Sequence, residues 1–270
     1  MPQYYHETHI MDDELMPFIF HTDTINPAQP TTANWHENIE LLCCLSGEGT
    51  LRCGTETFPI CKGSIMVIAP NIIHLITSET TVVYHCLIVE NRFCEANGIP
   101  VSGLHFPHLV QDPALYDFFL KTADILLAKD QPYQAADARS HILSLLVQLC
   151  RCYASSTDST HTPHDRMAAE RIKTVLSYIR QHLAQPMTLE QLAQSINLSK
   201  YHFSREFKLY TGQSVFDYIN LVRCQQAQRL LYDGATVREA AEECGYENLS
   251  YFSRTFRRYM GVLPSVYLKK

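Results

Sequence analysis

The chain has 270 residues, 46% of them hydrophobic, which allows one or two domains with ample core material. It contains no run of 18 apolar residues, and its opening MPQYYHETHIMDDELMPF lacks the layout of a signal peptide, so neither a membrane span nor export is expected. The net charge of −6 is unevenly placed: residues 1–162 carry 7 Lys+Arg against 18 Asp+Glu, and residues 163–270 carry 15 against 10, so only the second half suits a polyanion.

From about residue 18 to 90, short apolar runs alternate with turn signals: IELLCCL, SGEG, TLRC, GTET, FPICKG, SIMVIA, PN, IIHLI, TSET, TVVYHCLIV. Strands this short and evenly spaced predict an antiparallel sandwich or barrel. Period-two alternation puts His36, Asn38, Glu40 and Leu42 on one face and Ile39, Leu41 and Cys43 on the other. A mouth lined by His36, Asn38, Glu40, His74, Trp35 and Arg52 suits a small polyhydroxylated ligand such as a sugar, polar groups holding the hydroxyls and an aromatic face covering the ring. Surface residues without a ligand, or a three-ligand metal site of His36, Glu40 and His74, are the alternatives. An N-terminal arm within residues 1–16, carrying Tyr4 and Tyr5, could close over such a pocket.

Residues 112–128 and 134–153 then show helical periodicity, with apolar stripes at Leu115, Phe118, Phe119, Ile125 and Leu126, and at Ile142, Leu145, Leu146 and Leu149. These stripes pack on the chain's own strands or form a dimerisation face. ASSTDSTHTPHD, residues 154–165, reads as a linker. The expected organisation is a β-barrel with its N-terminal arm over 1–107, a helical dimerisation segment over 108–153, the linker over 154–165, and an all-helical domain over 166–270.

That last domain spells one helix twice. Tyr201–Gly212 and Ser250–Gly261 are identical at six of twelve positions, and Lys208 faces Arg257. Phe203, Phe207 and Tyr210, like Phe252, Phe256 and Tyr259, fall on one side at 100° per residue and belong to the core. Gly212 and Gly261 suit left-handed helix ends. A shorter helix precedes each copy, opened by the capping boxes Thr188/Gln191 and Thr236/Glu239. Helix, tight turn and second helix with an exposed Arg/Lys/Ser/Tyr face make a helix-turn-helix, present twice. The intervening Ser214–Leu231 reads as a connecting rod of about 27 Å, against about 34 Å between successive major grooves.

These segments, MTLEQLAQSINLSKYHFSREFKLYTGQSVFDYINLVRCQQAQRLL and ATVREAAEECGYENLSYFSRTFRRYMGVLPSVY, resemble the AraC/XylS-type DNA-binding domain. The resemblance implies base contacts from Tyr201, Ser204 and Arg205 in the first unit and from Leu249, Ser250, Ser253 and Arg254 in the second. Lys208 and Arg257, farther along each helix, suit phosphates, while an arginine can pair bidentately with guanine. An internal salt bridge is the alternative role for Arg205 and Arg254. More weakly, residues 18–90 resemble the cupin-like barrel of such regulators, through His36-x-x-x-Glu40, Ser46-Gly47-Glu48-Gly49, Lys62-Gly63-Ser64, Pro70 and His74. Metal-binding cupins supply three histidines and a glutamate, and Asn38 stands where the second histidine is expected.

The fold class expected is therefore α+β in two domains, a cupin-like antiparallel barrel with flanking helices followed by an all-α double helix-turn-helix. The expected function is a cytoplasmic, non-enzymatic regulator that binds double-stranded DNA and a small-molecule effector of carbohydrate type. It acts as a homodimer and, if an activator, meets RNA polymerase. No catalytic residue, metal or cofactor is assigned, since no GxSxG, Walker or GxGxxG pattern is present. Two other classes stay open: a metal-dependent cupin enzyme fused to a DNA-binding domain, and a redox sensor using some of the ten cysteines. Those cysteines sit mostly in apolar runs, which favours buried, reduced thiols.

Overall fold

The computed structural model describes residues 15–27, 31–128, 131–155 and 163–267. The proposed arm lies almost wholly outside them, as does most of the linker. The chain divides into two compact units, one of residues up to Asn26 and from Asn34 to His161, the other of Pro27–Ala33 and Thr162 onward.

Among the described residues, the first unit has eight strands: β1 (Phe18–Ile25), β2 (Ile39–Ser46), β3 (Glu48–Cys53), β4 (Glu56–Cys61), β5 (Ile65–Ile68), β6 (His74–Thr77), β7 (Val82–Val89) and β8 (Leu109–Val110). They form two antiparallel sheets, ordered β1-β7-β2-β5-β8 and β4-β3-β6. The five-stranded sheet is buried on both faces, which is why β2 and β7 read as continuous apolar runs. Ile39, Leu41, Cys43, Ile65, Val67, Leu87 and Val89 face a helical layer of α1 (Asn91–Ala96), α2 (Pro113–Leu127) and α3 (Gln134–Tyr153). Leu42, Cys44, Met66, Ile68, Cys86 and Ile88 face the other way, joining Leu51, Cys53, Ile60 and Ile76 of the smaller sheet. Gly47 turns β2 into β3 at φ +86°, where a Cβ would fall 2.1 Å from the Thr81 carbonyl oxygen, so only glycine fits.

Two expectations change here. The stripe offered as a dimerisation face (Leu115, Phe119, Ile142, Leu145, Leu146, Leu149) is covered by the chain's own sheet, with Phe118, Ile125 and Leu126 partly buried beside it. Its apolar area is thus already removed from water. Residue 107 is also no boundary in this packing, because β8 pairs with β5 beyond it and α2 and α3 share the sheet's core.

The second unit contains α4 (Pro163–Gln181), α5 (Leu189–Ser195), α6 (Lys200–Thr211), α7 (Val215–Tyr232), α8 (Val237–Glu243) and α9 (Leu249–Met260), closed by a 3-10 turn at Pro264–Tyr267. Thr188 and Thr236 cap α5 and α8 in full capping boxes with Gln191 and Glu239. Gly212 and Gly261 end α6 and α9 in the left-handed region at φ 73° and 77°. Within this unit, Thr31 and Ala33 offer carbonyl acceptors to Gln213 Nε2 (2.9 Å) and Arg180 Nη2 (2.9 Å). Among the described residues, no helix is long and apolar enough to cross a membrane.

Candidate DNA-reading face and buried His–Glu–His cluster

α6 and α9 owe their placement to their aromatic faces. Phe203, Phe207 and Tyr210 are buried, and Phe207 meets Tyr218 of α7 edge-on at 5.5 Å. Phe252 and Phe256 pack with Cys224, Ala227 and Leu231 of α7, with Ala240 and Ala241 of α8, and with Cys244, which caps the end of α8. Tyr259 is only partly buried, because its hydroxyl reaches out to donate to Asp217 Oδ1 at 2.7 Å. One helix, α7, therefore supports both units, which is the rod that the repeat implied. The side chains of Ser199 and Asn248 cap α6 and α9. The turn leading into each reader contains a left-handed residue, Asn197 (φ 56°) in the first and Gly245 (φ 76°) in the second.

With the aromatics inside, the opposite sides face solvent. Tyr201, Arg205, Lys208, Leu249, Ser250, Arg254 and Arg257 are exposed, and Ser204 and Ser253 are half-buried. The structure thus brings all nine residues onto the outer sides of two equivalent helices. Among the described residues, Arg205, Lys208, Arg254 and Arg257 make no ion pair with a carboxylate. Neighbouring cations are committed: Arg171 binds Glu206 at 2.6 Å, Lys200 binds Glu190 at 3.1 Å, and Arg258 lies 3.6 Å from Asp217. His202 and Tyr251 are also exposed near the helix starts. Sequence reasoning passed them over because they fall between the repeated positions.

The first unit gathers a second site. Glu40 points inward from β2, level with Ile68 and Ile88. His74 opens β6 opposite Cys53. His36 precedes β2 in a loop held by two staples: Asn71 N–H donates to the His36 carbonyl (2.7 Å), and Asn34 and His74 exchange backbone bonds of 2.9 and 2.8 Å. Glu40 Oε2 lies 3.0 Å from His36 Nε2 and 3.2 Å from His74 Nε2. The other ring nitrogens face backbone carbonyls, His36 Nδ1 that of Asn38 at 2.8 Å and His74 Nδ1 that of Ile72 at 3.0 Å. The Cys86 thiol donates to Glu40 Oε1 at 3.1 Å. Side-chain exposure is 2% for His36, 9% for Glu40 and 11% for His74. Burial works to raise the Glu40 pKa, but hydrogen bonds from His36 and His74, with their charge, outweigh it and hold the carboxyl well below its usual range.

Of the six ligand candidates, then, three converge. Asn38 contributes its carbonyl to His36, while its Oδ1 accepts from Asn91 N–H at the start of α1. Arg52 alternates with Leu51 and Cys53, whose side chains lie in the inter-sheet core, and so occupies the outer face of its sheet. Trp35 is half-buried beside His36 in the chain. Cys86 was missed as a site residue, although period-two alternation along β7 places it with Ile88 on the Glu40 side.

The fold and these two sites define a two-unit protein with an effector-type β domain and a paired helix-turn-helix domain. Comparison with known proteins agrees: residues 19–146 match the AraC-like ligand binding domain and residues 192–270 a Helix-turn-helix domain. The chain belongs to the AraC/XylS family. It is 28% identical over 244 residues to HTH-type transcriptional activator Btr of Bacillus subtilis, covering 87% of this chain and 45% of that one. It is also 28% identical over 172 residues to regulatory protein PocR of Salmonella typhimurium (58% and 54%). With HTH-type transcriptional activator RhaR of Pectobacterium atrosepticum the identity is 31% over 146 residues (53% and 51%). The chain thus spans about half the length of these curated relatives.

Proposed function

We propose that this chain is a sequence-specific DNA-binding transcriptional regulator, not an enzyme, whose N-terminal unit senses a small molecule. One observation carries the reading: two equivalent helices, mounted on a common rod, present arginine and lysine side chains that pair with no carboxylate among the described residues. Selection of random duplexes by the purified chain tests it. A selected site with two short elements about one helical turn apart is the expected outcome, whereas recovery of no preferred sequence overturns it.

For the effector we propose a carbohydrate at the His36–Glu40–His74 end of the β domain. Its support is the sugar-like complementarity of imidazole and carboxylate groups, with Trp35 adjacent in the chain. A saturable rise in melting temperature with one member of a mono- and disaccharide panel is expected, and no rise with any member removes the carbohydrate class. The chain acts in the cytoplasm as a homodimer, supported by the family resemblance, and meets RNA polymerase where it activates. Since the α2–α3 stripe is covered, any dimer uses the outward sides of these helices or another surface. Light scattering at micromolar concentration, with and without DNA, checks that state.

A further inference from the structure

We propose that Arg223 is a positioning residue that fixes the angle between the two readers, and so sets the number of base pairs that must separate the two elements of the DNA site. This rests on the reading of α6 and α9 as the DNA-contacting helices and goes beyond it by assigning the spacing to one side chain.

A shared rod is not enough to fix that geometry. Phe252 and Phe256 hold the second helix-turn-helix on α7 through Ala227 and Leu231, and apolar burial is non-directional, so a pair held only this way can roll about the rod. Directional bonds must remove that freedom. Arg223 stands near the middle of α7, and its fork reaches both ways. Nη2 donates to the Gln185 carbonyl at 2.8 Å, in the loop between α4 and α5. Nη1 reaches the Gly245 carbonyl at 3.4 Å, a longer bond, in the turn between α8 and α9. The two carbonyls are both acceptors and cannot bond each other, so the donor fork is what joins a backbone point of the first unit to one of the second.

The surroundings leave this junction little play. A Cβ on Gly245 would fall 2.8 Å from the carbonyl oxygens of Leu183 and Ala184 and 2.9 Å from Arg223 Nη2, so the backbones of the two units already meet there. The guanidinium carbon lies 5.5 Å from the centre of the Tyr246 ring, and the Tyr246 hydroxyl donates to Asn220 Oδ1 of α7 at 3.1 Å. At its far end α9 is tied to the rod again, through Tyr259 and Asp217. Pinned before its start and at its end, α9 keeps one orientation on α7, and Arg223 carries that orientation on to the first unit. One base pair inserted between two DNA elements moves the second by about 3.4 Å and turns it by about 35°. A clamped pair of readers cannot follow this displacement, and an unclamped pair can.

The test measures the full chain by fluorescence anisotropy on the selected duplex, on derivatives with one base pair added or removed between the elements, and on a duplex holding a single element. Wild type should lose about 10-fold or more in affinity for either altered spacing, because only one reader can then engage. Arg223→Lys keeps the charge but not the fork, and should flatten the spacing profile to within about threefold while binding the single element as wild type does. Arg223→Ala should flatten it too. An equal loss on every duplex, with the spacing profile retained and the melting temperature lowered, shows a merely structural role and overturns the proposal. Should neither variant fold, the wild-type profile still decides: binding to the selected site without a spacing preference overturns the clamp and leaves the DNA-reading assignment standing. Failure to bind any duplex overturns both.

Discussion

Arg205→Ala separates reading DNA from holding the fold. Arg205 is exposed on α6 and forms no ion pair with a carboxylate among the described residues. Alanine is at least as good a helix former, so the change in folding stability should stay within about 0.5 kcal/mol. The next residue makes the contrast. Glu206 is 6% exposed and bound to Arg171 at 2.6 Å, so Arg171→Ala leaves a buried carboxylate uncompensated at a cost of about 3–5 kcal/mol. If Arg205 reads a base, its loss should cost about 1–3 kcal/mol on the selected duplex, roughly 5- to 150-fold in Kd, and far less on a shuffled one. Lys208→Ala should weaken both duplexes alike and reduce the salt slope by about one. Fluorescence anisotropy on both duplexes across a salt series, with thermal melts alongside, distinguishes the three. The reasoning is refuted if Arg205→Ala weakens both duplexes equally, or lowers the melting temperature as far as Arg171→Ala does.

Gly245→Ala should destabilise the second unit by about 2 kcal/mol or more, because φ is +76° and a Cβ would meet the carbonyl oxygens of Ala184 and Leu183 at 2.8 Å; an unchanged melting temperature would show the turn to be malleable. Hydrogen bonds from Ser214 and Tyr259 hold the Asp217 carboxyl below its usual range, so its contribution is present above about pH 3.9 and lost as pH falls through the lowered folded-state value. Asp217→Asn should therefore lower the melting temperature at pH 7, and the gap should close on acidification; a gap independent of pH counts against this. Thiol labelling of the native chain should modify exposed Cys152 first, while Cys43, Cys94, Cys224 and Cys244, each pushed up to about 12 chiefly by burial, wait for unfolding. Rapid labelling of these four would restore the redox-sensor reading.

The helical half was legible in the sequence nearly residue by residue, because its determinants are local. The boxes at Thr188 and Thr236, the left-handed Gly212 and Gly261, and the aromatic spacing of α6 and α9 each act within a few residues of chain, and the repeat shows them twice. From this the bare cationic face follows, since a helix with its aromatics inside has only one other side to offer. The β half was legible as strands but not as sheets. An apolar run such as IELLCC signals burial without saying what covers each face, and only the packing assigned Leu41 to the helical layer and Leu42 to the space between sheets. The same long-range pairing directed Arg52 outward, gave the α2–α3 stripe to the sheet, and placed residues 27–33 with the helices. His36, Glu40 and His74 could be named from sequence as candidate ligands. That their Nε2 and Oε2 atoms meet, with both second nitrogens held by carbonyls, depends on two loops stapled across a sheet, contacts that no sequence spacing encodes.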